Sequence, residues 1–183
     1  MNIVYGGSFN PPTIAHKKIV LKLHELFKPQ NILIIPTGDS YTWKNITPFF
    51  HRLNMTKIAF PNECVLDIEQ KKEYQGTINT LRYLAKYYDN LYFTMGADNL
   101  IYIKKWINYE ALLNEFNFII FKRDDIDIGA FISKELQEFK DKFTIVDFNM
   151  EISATEFRSS YDSSLVDSKV FDYIKANGLY KEE

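Results

Sequence analysis

Short apolar runs alternate with helix-patterned stretches along almost the whole chain, and this alternation narrows the fold more than any other feature. NIVY (2–5), NILIIP (31–36), ECVLDI (63–68), NLYFTM (90–95), NFIIFK (117–122) and FTIVDF (143–148) are short and nearly continuously apolar. Strands of that kind are buried on both faces. Between the first two lies Ile14 to Phe27, where Ile19, Val20, Leu23, Leu26 and Phe27 form a core stripe at helical spacing. Further helices are expected over Phe49 to Phe60, Thr77 to Tyr88 and Asp98 to about Phe116. Others follow KRDDIDIG, start at Ala154, and run from Asp167 to Asn177 with Gly178 as the stop. The pattern predicts an α/β fold, a doubly wound, Rossmann-like parallel sheet with helices on both faces. An order of 3-2-1-4-5 would put the reversal between NIVY and NLYFTM, and ligands bind outside the carboxyl ends of strands at such a point. GGSFNPPTIAH (6–16) and GADNL (96–100) would then lie side by side there.

The 183 residues fit a single domain, 1–183, with residues from about 152 onward forming a small helical part. Lys and Arg total 22 against 24 Asp and Glu, so the net charge of −2 gives no electrostatic case for nucleic acid or an acidic membrane. Cys64, the only cysteine, cannot form an internal disulfide and is expected as a small buried hydrophobe in its strand. No apolar run approaches the ~18 residues that cross a bilayer. Met1 leads directly into a strand and leaves no room for a signal peptide, so a cytoplasmic protein is expected.

Two glycines, two prolines and a histidine crowd the connection GGSFNPPTIAH. Glycine after a strand permits close approach of backbone to ligand. Backbone N–H groups together with a following helix N-terminus make an anion site. Pro11 and Pro12 stiffen the loop, and Thr13 can cap the helix. His16 shares a face with Val20, Leu23 and Phe27, which points it inward, where an imidazole can meet a phosphate. Neither the dinucleotide fingerprint G-x-G-x-x-G nor the P-loop G-x-x-x-x-G-K-[ST] is present. Taken alone, the loop is either a phosphate cradle or a structural turn before a capped helix.

GGSFNPPTIAH resembles the signature G-x-F-x-P-x-[H/T]-x-G-H of the nucleotidyltransferase superfamily, and ISATEFR (152–158) resembles its second signature, I-S-S-T-x-[I/V]-R. Within that superfamily the chain is similar to the bacterial nicotinate mononucleotide adenylyltransferases. IPTGDSYTWK (35–44), HRLNMTKIA (51–59), QGTINTLRYL (75–84), FTMGADNL (93–100) with Trp106, and YIKANGLY (173–180) each resemble a motif of that family. Thr13, Ala15 and Ala154 differ from its usual residues, and the P-P-H core before Lys44 is missing.

The resemblance implies that an adenylyl group passes from ATP to nicotinate mononucleotide. It makes His16, Lys44 and Arg158 the catalytic candidates. For ATP it implies Gly7, Ser8 and Phe9 through their backbone, Thr13, His16, Gly96, Asp98, Ile152, Ser153, Thr155 and Arg158. Lys44, Thr77, Tyr102 and Trp106 would receive the acceptor, with Trp106 stacking on the pyridine ring. Mg²⁺ is implied as a cofactor held mainly by the ATP phosphates. His16, His24 and His51 with a single cysteine offer no zinc spacing. The partners implied are the two small-molecule substrates, with a homo-oligomer left open. Rival readings on the same scaffold are nicotinamide mononucleotide or phosphopantetheine as acceptor, or a nucleotide sensor that has lost its catalysis.

Overall fold

The computed structural model describes residues 1–40, 46–70, 75–122, 126–148 and 154–181. Lys44, Ile152 and Ser153 therefore lie outside the described residues. In chain order the elements are β1 (Asn2–Gly7), α1 (Ile14–Phe27), β2 (Asn31–Pro36), α2 (Phe49–Ala59), β3 (Cys64–Val65), α3 (Thr77–Leu84) and β4 (Leu91–Gly96). They continue with α4 (Ala97–Leu100), α5 (Tyr109–Glu115), β5 (Asn117–Phe121), α6 (Ile128–Glu135), β6 (Phe143–Val146), α7 (Ala154–Ser160) and α8 (Ser168–Ala176). The six strands form one sheet in the order β3-β2-β1-β4-β5-β6, and the described pairings are parallel. This is the doubly wound α/β architecture expected from the alternation, and the order reverses between β1 and β4.

Two compact units divide the chain. The first, Met1–Gly6 with Gln75–Met150, holds most of β1 together with β4, β5 and β6. Its strands are apolar on both faces, with Ile3, Val4, Phe118, Ile119 and Ile120 fully buried. Register places Tyr5 beside Thr94, each two residues before its strand ends. The second, Gly7–Tyr74 with Glu151–Glu183, holds β2, β3, α1, α2, α7 and α8. Its interior includes Phe9, Val20, Leu23, Leu33, Ile34, Met55, Phe157 and Ile174.

Several boundaries differ from expectation for physical reasons. ECVLDI contracts to Cys64–Val65, an edge strand hydrogen-bonded only to β2. A two-residue edge strand is uncovered on one side, so Cys64 is exposed and not the buried hydrophobe expected. Leu26 falls on the flank of the α1 stripe and is also exposed. The helix expected over 98–116 breaks into α4, a 3₁₀ turn at Ile103–Lys105, and α5. Trp106 is extended (ψ 148°), and Asn108 enters the left-handed region at φ 51°. Among the described residues no helix is long and apolar enough to cross a membrane.

Candidate active site

The second unit builds its site on the stretch that follows β1. Three carbonyl groups of this loop are taken by protein donors. Thr37 N–H donates to Gly7 O at 2.9 Å, Arg52 Nη1 to Ser8 O at 2.9 Å, and Arg158 Nη1 to Asn10 O at 2.6 Å. An anion-binding loop requires this arrangement, because a carbonyl facing a phosphate would repel it. The Asn10–Pro11 peptide is cis, and Phe9 is left-handed at φ 44°. The Phe9 ring is fully buried, 5.1 Å from the His16 ring and 6.1 Å from that of Phe60, so only its backbone is available to a ligand.

Thr13 is the N-cap of α1, with extended backbone, and His16 stands three residues on. The Thr13 N–H donates to His16 Nδ1 at 2.9 Å, and the Thr13 hydroxyl oxygen lies 2.8 Å from the same nitrogen. His16 thus does what Glu or Gln does in a capping box, receiving the N–H of the cap residue. A nitrogen that accepts a backbone N–H carries no proton, so the neutral ring holds its proton on Nε2. Burial pushes the imidazole down to about 4, which keeps it uncharged at neutral pH. The side chain is consequently a fixed N–H donor and not a cation.

Arg52, on α2, is fully buried. Besides holding Ser8 O, it donates through Nε to Thr47 O at 2.7 Å and through Nη2 to Asp39 Oδ1 at 2.8 Å. The other Asp39 oxygen accepts the Phe49 N–H at 2.9 Å and so caps α2 from a distance. One guanidinium thereby ties the loop after β1 to the segment after β2. Asn10 is a second junction: its Oδ1 accepts the Thr47 N–H at 3.1 Å and the Tyr180 hydroxyl at 2.8 Å. Arg158 completes its fork on Thr155 Oγ1 at 3.0 Å. Both described partners of Arg158 are uncharged acceptors.

In the first unit, Gly96 is the N-cap of α4, and Asp98 lies exposed in the first turn of that helix instead of capping it. A Cβ on Gly96 would meet nothing within 4 Å, so the space beside it is open. Thr77 opens α3 behind Gly76, whose φ of 89° only glycine adopts readily, and a Cβ there would lie 2.9 Å from Ile107 Cβ. Trp106 is half-buried, edge-on to Phe93 at 6.2 Å. Tyr102 is exposed, with Lys105 Nζ 5.0 Å from its ring centroid. Tyr102 and Trp106 flank the 3₁₀ turn and do not share one continuous α-helix.

The Cytidylyltransferase-like family matches residues 4–160, which run from β1 through α7 and include both signatures. The chain belongs to this family. A relative from Acholeplasma laidlawii, bearing the name "Probable nicotinate-nucleotide adenylyltransferase", is 38% identical over 188 residues, covering 100% of this chain and 98% of the relative. Another of the same name from Fusobacterium nucleatum is 37% identical, covering 91% of this chain and 93% of the relative. Among solved structures, the Plasmodium falciparum nicotinic acid mononucleotide adenylyltransferase complexed with NaAD superposes with a TM-score of 0.82 at 27% identity. That match covers 98% of this chain and 96% of the other.

Sequence reasoning picked out His16, Thr13, Thr155 and Arg158 in this family member, and the structure joins the first two and the last two by hydrogen bonds. It missed Arg52, Asn10, Asp39 and Tyr180. An arginine at a helix start reads as surface, and Asn10 reads as a turn residue beside proline. The one available signal was position: Arg52 and Tyr180 both lie within stretches set apart for their resemblance to family motifs.

Proposed function

We propose that this chain transfers the adenylyl group of ATP to nicotinate mononucleotide, releasing pyrophosphate and forming nicotinate adenine dinucleotide. A 5′-phosphate oxygen of the acceptor forms a bond to the α-phosphorus of ATP, and the bond from that phosphorus to the bridging oxygen of the leaving pyrophosphate breaks. Such an in-line displacement needs no protein nucleophile; positioning and charge stabilisation carry the catalysis. The observation that carries this reading is the loop from Gly7 to Asn10, where three of the four carbonyls are held by Thr37, Arg52 and Arg158 while His16 keeps its proton on Nε2.

In this reading the loop backbone at Gly7, Ser8 and Phe9 holds the nucleotide, and Thr13 keeps His16 in its tautomer. His16 Nε2–H donates to the phosphates, and Arg158 keeps its bond to the Asn10 carbonyl while offering its charge to them. Lys44, Ile152 and Ser153 are assigned alongside them by the family motifs. Gly96 and Asp98 are assigned to the nucleotide, and Thr77, Tyr102 and Trp106 to the pyridine nucleotide. Mg²⁺ enters with ATP as part of the substrate. Such an ion is carried mainly by phosphates and water. The protein works as one nucleotidyltransferase domain in the cytoplasm. Pyrophosphate release from ATP and nicotinate mononucleotide tests the proposal: turnover supports it, and ATP binding without turnover would make the chain a sensor.

A further inference from the structure

The segment after α8 is folded back with some precision. Asn177 caps the helix, Gly178 turns left-handed at φ 62°, and Leu179 N–H reaches Ile174 O at 3.0 Å, which closes a Schellman-type end. Tyr180 follows, also left-handed at φ 59°, with its ring edge-on to Phe157 at 5.9 Å. The hydroxyl then donates to Asn10 Oδ1 at 2.8 Å, across 170 positions of sequence. Asn10 is almost fully buried, so its amide oxygen has no bulk water to fall back on.

We infer that Tyr180 is a positioning residue for adenylyl transfer, its hydroxyl fixing the nucleotide-binding loop through the side chain of Asn10. The inference rests on the reading that this loop holds ATP. Asn10 receives three donors: Thr47 N–H and the Tyr180 hydroxyl on its side chain, and Arg158 on its carbonyl. These bonds reach both the side chain and the backbone of residue 10, so its orientation sets that of the loop. Burial pushes the Tyr180 phenol up to about 12, against the lowering by Thr47 and by the charges of Arg158 and Arg52, so the hydroxyl remains a donor at any working pH. Without the hydroxyl, the Asn10 side chain keeps Thr47 and loses one of its two restraints. The effect belongs on ATP binding, since no part of Tyr180 need touch the acceptor.

Steady-state kinetics of the full chain and Tyr180→Phe, with ATP and nicotinate mononucleotide each varied, test this. The variant should raise the KM for ATP roughly five- to tenfold, as expected for one hydrogen bond, and leave the KM for the acceptor within about twofold. In an Asn10→Ala background, where ATP binding is already weakened, adding Tyr180→Phe should change the KM for ATP by less than about twofold. An unchanged ATP KM in the single variant, or multiplying effects in the double variant, would overturn the inference. So would a lowered melting temperature with both KM values intact, which is what a merely structural role predicts. If the parent protein turns over and only the Tyr180 effect is missing, this inference fails alone. If the parent protein does not release pyrophosphate, it is the proposed function that fails.

Discussion

Arg158 and Asn10 lie 148 positions apart in sequence, yet the guanidinium of one donates to the carbonyl of the other at 2.6 Å. This bond holds the only described arginine of the second signature against the loop of the first, within one compact unit. A guanidinium resting on neutral acceptors meets phosphate oxygens with its charge uncancelled by a carboxylate. Arg158→Lys keeps the charge and loses the fork. It should lower kcat roughly 100-fold, in line with loss of one preorganised donor to developing charge, with the circular dichroism spectrum unchanged.

His16 offers a sharper separation of fold from chemistry. Asn places its Oδ1 near the position of Nδ1, so His16→Asn should keep the Thr13 N–H bond and lose only the Nε2–H donor. Turnover should fall at least about 100-fold with the protein still folded. The pH dependence of stability should change as well. The folded imidazole is lowered from 6.5 to about 4, so the unfolded state binds the extra proton between those values. Stability from this group is complete above pH 6.5 and is lost as the pH falls towards 4. Urea denaturation at pH 7 and pH 5 should therefore show the parent protein losing about 1–2 kcal/mol more than His16→Asn.

Arg52→Met removes a buried cation that serves Ser8 O, Thr47 O and Asp39. Asp39 is more than half exposed and can turn to water, whereas the carbonyls lose their partner. The expected loss is about 2–4 kcal/mol, read from the urea midpoint, with a raised KM for ATP because Ser8 belongs to the loop.

Gly76→Ala places a methyl group against Ile107 at a backbone angle that only glycine tolerates. Destabilisation of about 1–3 kcal/mol is expected. Because Thr77 is the first residue of α3, the KM for nicotinate mononucleotide should rise while that for ATP stays within about twofold.

Much of the architecture was legible because apolar periodicity is a local property: α1 and β2 begin and end where the pattern and Pro29 place them. Local pattern fails where a neighbour decides. Cys64 sits in an apolar run but on a sheet edge, and Leu26 extends the α1 stripe onto an uncovered flank. The helix expected around residue 106 is interrupted by backbone at Trp106 and Asn108 that no spacing rule foresees. In the site, the inward face of His16 follows from its spacing to Val20 and Leu23, and its bond to Thr13 is local, three residues back. Arg52 was not readable, since two of its three partners are 13 and 44 positions distant and nothing on α2 announces burial. The charge state of His16 also emerged only from the structure, through Thr13.

Acid-specific adenylyl transfer is the activity proposed for this site. Its most direct test is pyrophosphate release with Mg²⁺ and ATP against nicotinate mononucleotide, nicotinamide mononucleotide and phosphopantetheine, ranked by kcat/KM. Turnover is expected with nicotinate mononucleotide at the head of that ranking. Equal or better use of nicotinamide mononucleotide, or no pyrophosphate with any acceptor, would contradict it.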